Sequence, residues 1–166
     1  MTVSVESSLA AWQGRVDAVE GDQALRWHQV VRPVTPEATG GMVILGFASD
    51  AGVRRNQGRA GAAEGPLELR KQLSNLPARP GMQLFEAGTI RVVGNDLEEG
   101  QRTFAEHVAS LLKQGLVPLG LGGGHEIALG SFLGLAKHRA GMDQQPRIGI
   151  LNLDAHFDLR AAEQGT

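Results

Sequence analysis

The chain has 166 residues, of which 42% are hydrophobic and 20% charged, and this is enough for one folded domain with an apolar core. Its net charge of -2, without a Lys/Arg block, argues against nucleic acid and anionic membranes as partners. The absence of cysteine excludes disulfides, thiolate metal sites and cysteine nucleophiles.

The first 40 residues are polar and are interrupted by Pro33 and Pro36. This pattern predicts a surface arm over residues 1–40, with one short helix near 6–13, followed by a domain from residue 41 to 166. The start of the chain lacks the basic and apolar regions of a signal peptide, and no apolar run approaches the roughly 20 residues of a membrane helix. A cytoplasmic location is therefore predicted.

After residue 41, short apolar runs alternate with helical patterns. The predicted strands are 42–47, 84–93, 116–124 and 147–160, and the predicted helices are 66–76, 95–115 and 125–141; a glycine- and arginine-rich loop covers 49–65. Parallel strands need crossovers of this length. The predicted fold is therefore α/β, a three-layer α/β/α domain with a parallel sheet in which Leu121 and Leu151 lie on buried strands. Ligands of such sheets bind outside the carboxyl ends of the strands.

One chemical motif follows the last apolar run, as Asp154-Ala155-His156-Phe157-Asp158. In an extended chain, residues two apart point to the same side, so Asp154, His156 and Asp158 are expected to converge. Oxygen and nitrogen donors suit Mn(II), Zn(II) or Fe(II), and the carboxylate-rich mixture favours Mn(II). The alternative is that these residues belong to a polar, solvated loop. Three alternating donors directly after a predicted buried strand favour the metal site over this alternative.

A second motif, Gly122-Gly123-Gly124-His125-Glu126, joins a predicted strand to a predicted helix. It is not a phosphate loop, because Gly-Lys-Ser/Thr is missing, and it lacks the third glycine of the dinucleotide pattern. The glycines instead predict a tight turn that presents the His125 imidazole at the edge of the sheet. Glu126 has two open roles, either orienting a ligand histidine or stabilising the helix start by its charge.

Together, these two motifs resemble the first two metal signatures of the arginase (ureohydrolase) family. The family's usual first signature has Asp before the histidine and Ser after it, whereas this chain has Gly124 and Glu126, a variant associated with formimidoylglutamases. The loop over residues 52–66 resembles the family's Asn-x-Gly-Arg-x-Gly segment. The resemblance covers roughly residues 42–160.

The resemblance implies a site for two Mn(2+) ions. His125 and Asp158 would bind the first ion, His156 the second, and Asp154 would bridge both. The implied activity is hydrolysis of N-formimidoyl-L-glutamate to L-glutamate and formamide, a step of histidine degradation, by a binuclear Mn-hydroxide site. The family's later Ser-x-Asp-x-Asp-x-x-Asp segment is not in these 166 residues. A fold truncated at the C-terminus, and little activity of this polypeptide alone, are therefore expected.

The substrate's carboxylates would need arginine, whose planar fork binds carboxylates in a bidentate way. Arg160 follows ligand Asp158 by two residues and lies close to where relatives contact the amino-acid end of the substrate; Arg59 lies in the glycine-rich loop. The partner is then a small-molecule amidine, and homo-oligomerisation stays open. Two other functions stay open as well: another ureohydrolase, of agmatinase, guanidinobutyrase or arginase type, and a non-catalytic fragment.

Overall fold

The computed structural model describes residues 2–142, 147–156 and 158. Its strands are β1 (Val3–Glu6), β2 (Arg32–Pro33), β3 (Met42–Ala48), β4 (Leu84–Val92) and β5 (Val117–Gly122). Its α-helices are α1 (Trp27–Val30), α2 (Ala51–Arg55), α3 (Gly65–Leu73), α4 (Leu97–Lys113) and α5 (Ile127–Ala140), and short 3-10 helices cover Leu9–Ala11, Ala18–Ala24 and Ala62–Glu64.

The sheet has the strand order β1-β4-β3-β5, and β2 pairs with β4. The central pairings of β3 with β4 and β5 are parallel, as the long helical crossovers require. One edge differs from the prediction, because β1 runs antiparallel to β4. The first strand of the predicted surface arm is thus part of the sheet, and the short helix of this region is the 3-10 turn at Leu9–Ala11.

Alternating residues of β3 face two apolar layers, as the period of two in a strand dictates. Leu45 and Phe47 pack in a cluster with Phe104 of α4. Ile44 packs in the other cluster, which includes Trp12 and is covered by Leu73 of α3. Helices therefore lie on both faces of the sheet, and the predicted three-layer α/β/α arrangement is confirmed.

The predicted last strand, 147–160, does not form in its described residues. Residues 147–153 form no strand, and Leu151 is 85% exposed, whereas Leu121 on β5 is 6% exposed. The prediction that Leu151 lies on a buried strand is wrong for this structure. An apolar run shows what a segment can bury, but a strand also needs backbone partners, and β5 pairs only with β3 in the described part of the chain.

None of the helices in the described ranges combines the length and apolar character needed to cross a membrane.

Candidate metal centre

The candidate site lies where two parallel neighbours, β3 and β5, reach their carboxyl ends. The loop after β3 begins at Ser49, and the turn after β5 carries His125. The backbone N–H of Gly123 donates to the carbonyl of Phe47 at 2.9 Å, which continues the pairing of the two strands into this turn. The sheet therefore brings the glycine-rich loop and the histidine turn side by side.

Gly123 has no room for a side chain. A Cβ at this position would lie 2.7 Å from the carbonyl oxygen of Ala62 and 2.8 Å from that of Ser49. Backbone atoms of a packed loop cannot give way as a flexible side chain can. The glycine run thus serves close packing of two loops as well as the tight turn that the sequence predicted.

Glu126 has a role that the sequence did not predict. Its side chain is buried, and Oε1 accepts a hydrogen bond from the backbone N–H of Gly52 at 3.1 Å, while its carbonyl accepts one from Gln101 Nε2 at 3.0 Å. The carboxylate therefore connects the turn after β5 to α2, the short helix that follows β3. No sequence pattern pointed to a partner 74 residues away, since a bond of this kind depends on strand order.

Three of the four predicted metal ligands come together. His125, Asp154 and Asp158 each offer a ligand atom, and these atoms all lie within 4.8 Å of one another. His125 Nε2 is 3.8 Å from Asp158 Oδ2. Their side chains are exposed by 61%, 35% and 37%, respectively, so the cluster opens to solvent.

His156, the fourth, lies beside this cluster as a neighbour of Asp154. Its Nδ1 is 3.5 Å from Asp154 Oδ1, and its backbone N–H donates to the same oxygen at 2.9 Å. The imidazole is 84% exposed. Asp154 therefore faces His125 and Asp158 as well as His156.

Asp154, His156 and Asp158 do not come together on an extended strand, as their spacing had predicted. Residues 154–156 form a bend, and Asp158 has a φ of 53°. Asp tolerates the left-handed region better than most residues, because its short side chain can bond locally. Asn152 Nδ2 donates to Asp158 Oδ2 at 3.1 Å. The alternation rule fails here because it presupposes a strand that this segment does not form.

Asp154 is held in its charged form. The backbone N–H of His156 keeps the pKa of this carboxyl below its usual value, and the imidazoles of His156 and His125 act in the same direction. A carboxylate that stays ionised is the form that binds a cation.

The donor set fits a divalent metal. Bonds of about 2.0–2.2 Å allow two ligand atoms of one ion to lie at most roughly 4.4 Å apart, so the cluster needs to contract by a few tenths of an ångström. One imidazole nitrogen and two carboxylates suit Mn(II), and the exposed position leaves room for further ligands.

The arginines predicted to bind substrate have different outcomes. Arg59 is exposed in the loop between α2 and α3. Arg160 lies outside the described residues. Of the other loop arginines, Arg55 binds Glu98 and Asn95 at the start of α4, so it has a structural role.

The family profile of the arginases matches residues 41–166, three quarters of the chain and all of the site. The chain belongs to the arginase family. This match covers the loop after β3, the histidine turn and the Asp154 motif, which are the segments brought together at the carboxyl ends of the strands.

Curated relatives of this arginase-family chain are named formimidoylglutamase. The chain is 51% identical over 164 residues to the one from Ralstonia nicotianae, covering 97% of this chain and 50% of that protein. It is 52% identical over 153 residues to the one from Nocardia farcinica, covering 90% of this chain and 48% of that protein. The chain thus spans about half the length of the curated relatives it matches.

A solved structure shares the fold. Trypanosoma cruzi formiminoglutamase, determined with Mn²⁺, aligns with a TM-score of 0.55 at 22% identity, over 83% of this chain and 42% of that one. At this identity the likeness shows the arginase-like fold alone.

Proposed function

We propose that this chain supplies one part of a binuclear manganese site that hydrolyses N-formimidoyl-L-glutamate to L-glutamate and formamide. The relatives named formimidoylglutamase, at about half identity over nearly the whole chain, support this substrate. The T. cruzi enzyme of similar fold, with Mn²⁺, supports the metal.

The observation that carries the proposal is the position of Asp154 between two sets of donors. Its carboxylate lies in the cluster with His125 and Asp158 and also contacts the His156 imidazole. A carboxylate has two oxygens and can bridge two cations. His125 and Asp158 would hold the first ion, His156 would contribute to the second, and Asp154 would bridge them.

Bound Mn²⁺ would supply Lewis-acid chemistry, lowering the pKa of a water molecule and polarising the amidine carbon. The residues of this chain would bind the metal and offset part of its positive charge. Asp154 and Asp158 together bring two negative charges, and the imidazoles add neutral donors only when they are deprotonated. Metal binding should therefore weaken in acid, because protons compete with the metal for these donors.

Substrate carboxylates would be bound by arginine. Arg59 is exposed on a loop at the same edge of the sheet as the cluster, and its guanidinium has no ion-pair partner within the described ranges. Arg160 follows the metal motif in sequence. Either guanidinium would bind a carboxylate in a bidentate way, and Arg160→Ala should raise KM more than it lowers kcat.

Steady-state kinetics on the natural gene product test the proposal. Formamide release from N-formimidoyl-L-glutamate should exceed urea release from agmatine, guanidinobutyrate and arginine. Asp154→Asn should abolish activity and weaken Mn²⁺ binding, whereas His138→Ala, which removes an imidazole near the far end of α5, should change neither. A preference for agmatine would overturn the substrate assignment, and unchanged metal affinity in Asp154→Asn would overturn the site.

A further inference from the structure

Gly124 and Glu126 compete for one space. A Cβ at Gly124 would lie 1.8 Å from Glu126 Oε2 and 2.6 Å from its Cδ. Gly124 is buried and is not among the residues with positive φ. Its φ is thus not one that excludes a side chain, and the atoms nearest to a Cβ at this position all belong to the Glu126 carboxylate.

A second glycine faces the same carboxylate. A Cβ at Gly52 would lie 2.7 Å from the Cδ and 2.8 Å from Oε2 of Glu126. The backbone N–H of Gly52 donates to Oε1, and Glu126 is only 9% exposed. Moving the carboxylate out of this place would break that bond and strand a buried charge, which costs far more than shifting a solvated side chain.

The geometry points to a positioning role: we propose that Glu126 clamps α2, the short helix after β3, to the turn after β5, and so fixes the direction in which His125 leaves the backbone. In sequence, His125 lies between Glu126, which carries the carboxylate, and Gly124, which the carboxylate packs against. Its imidazole is 61% exposed and meets Asp158 at 3.8 Å, so packing around the ring does not fix it. Gly52 and Gly124 leave the room that the clamp needs.

The steric coupling between Gly124 and Glu126 is independent of the proposed function. The effect of Glu126 on metal binding rests on the proposed function. The coupling is tested by a double-mutant cycle on thermal unfolding of the chain. Gly124→Ala alone should lower Tm by roughly 3–6 °C, because it displaces the carboxylate. In the Glu126→Ala background the same change should lower Tm by less than about 1 °C, or raise it, since alanine restricts the unfolded chain.

Gly134→Ala is the matched control on α5. Its Cβ would meet Val108 at 2.6 Å and the Ala105 carbonyl at 2.8 Å, with no contact to Glu126. Its cost should be the same in both backgrounds. An equal cost of Gly124→Ala with and without the Glu126 carboxylate would refute the coupling. If Glu126→Ala does not fold, Glu126→Ser, which also removes the carboxylate from this space, serves as the background.

The positioning role is tested by NMR, from the broadening of the His125 ring signals by added Mn²⁺. Glu126→Ala should need roughly 10-fold more Mn²⁺ for half-maximal broadening, as is usual when the support of a ligand is lost. Glu126→Gln should restore most of the affinity, because its amide oxygen can accept the Gly52 bond. Equal Mn²⁺ requirements in the wild type and Glu126→Ala would exclude positioning. No broadening of His125 in the wild type would overturn the proposed metal site and the positioning role together, while the unfolding cycle would still decide the coupling.

Discussion

At the scale of single residues, charged side chains near the site order the glycine-rich loop and connect its region to α4. Asp50 orders the glycine-rich loop, since its Oδ1 accepts the backbone N–H groups of Gly61 and Ala63 at 3.0 Å each. The bond from Ala63, with that from Gly61, lowers the pKa of the Asp50 carboxyl. Arg55 connects the same region to α4 through Glu98. Loop order at the sheet edge therefore depends on carboxylates that stay charged.

Acid should weaken the contact between α2 and α4. The hydrogen bond from Arg55 lowers the pKa of Glu98 from 4.5 to about 2. Because the pKa in the folded state is below the unfolded value, the stabilisation is complete above 4.5 and is lost as the pH falls towards 2. Urea unfolding at several pH values should show a smaller acid-dependent loss in Glu98→Gln than in the wild type.

This acid effect should be modest and sensitive to salt. The Glu98 side chain is 61% exposed, so solvent screens its ion pair. Sodium chloride at 1 M should reduce the difference between Glu98→Gln and the wild type. A difference that persists at full size in high salt would mean that the contact is stabilised by something other than the charge pair.

At the scale of elements, a buried ion pair joins α3 to β4. Arg70 Nε and Nη2 donate to the two carboxylate oxygens of Glu86 at 2.8 Å each, and both side chains are 1% exposed. Trp12 Nε1 donates to Glu86 at 2.7 Å, and the Gly88 N–H donates to the other oxygen at 2.7 Å. The N-terminal region, the helix layer and the sheet thus meet at one carboxylate.

Removing one member of this pair should be costly. Glu86→Ala should lower the free energy of unfolding by about 3–5 kcal/mol, because it leaves the Arg70 charge buried without its partner. Glu106→Ala, which breaks an exposed pair with Lys137, should cost about 0–1 kcal/mol. Urea denaturation measures both. The double variant Arg70→Met/Glu86→Leu should recover part of the loss, and a full loss there would locate the cost in packing rather than charge.

The sequence predicted the central strands and the longer helices, but it missed β1 and predicted a strand over residues 147–153 that does not form. β3, β4, β5, α3, α4 and α5 all form close to their predicted bounds. Leu151 sits in an equally apolar run but lacks a strand to pair with. At the site, residue types predicted that His125, Asp154 and Asp158 lie together, and they do. The contact between Glu126 and Gly52 instead depends on which strands lie side by side, which hydropathy does not encode.

At the scale of the whole molecule, the two edges of the sheet differ. The β1 edge carries a short strand with mostly exposed side chains. Exposed apolar side chains lie on β5, on α5 and in residues 150–153: Val117, Leu129, Phe132, Leu133, Ile150, Leu151 and Leu153 are each at least 40% exposed. Exposed apolar surface favours association, and so does the outer side of β5, which pairs with no other strand in the part of the chain that the structure describes.

The chain should therefore associate as its concentration rises. Light scattering should show that the average molecular mass rises with protein concentration. Phe132→Lys should reduce this rise, because association would have to bury the lysine charge between molecules. Leu69→Lys, at a residue on α3 that is similarly exposed at 42%, is the control and should have little effect. Association that is equally sensitive to both changes would mean that no particular face is involved.

The number of Mn²⁺ ions bound is also a property of the whole molecule. A polypeptide limited to residues 1–166 should bind at most one Mn²⁺ tightly, since two neighbouring dications beside two carboxylates would repel each other. It should release no formamide above background. Calorimetric titration with Mn²⁺ and a formamide assay check this, and two tight sites with turnover would show that another group in the chain completes the site.

The pairing of β1 with β4 has a consequence for synthesis on the ribosome. Glu6 pairs with Thr89 and Val3 with Val92, so β1 must wait for β4 to be synthesised. At 5–20 residues per second, the ribosome needs roughly 4–17 s to go from Glu6 to Val92. During that time β1 lacks its partner β4 in the nascent chain. Its sequence, Val-Ser-Val-Glu, alternates apolar and polar residues and includes a charge, which suits a strand that must stay unassociated until β4 emerges.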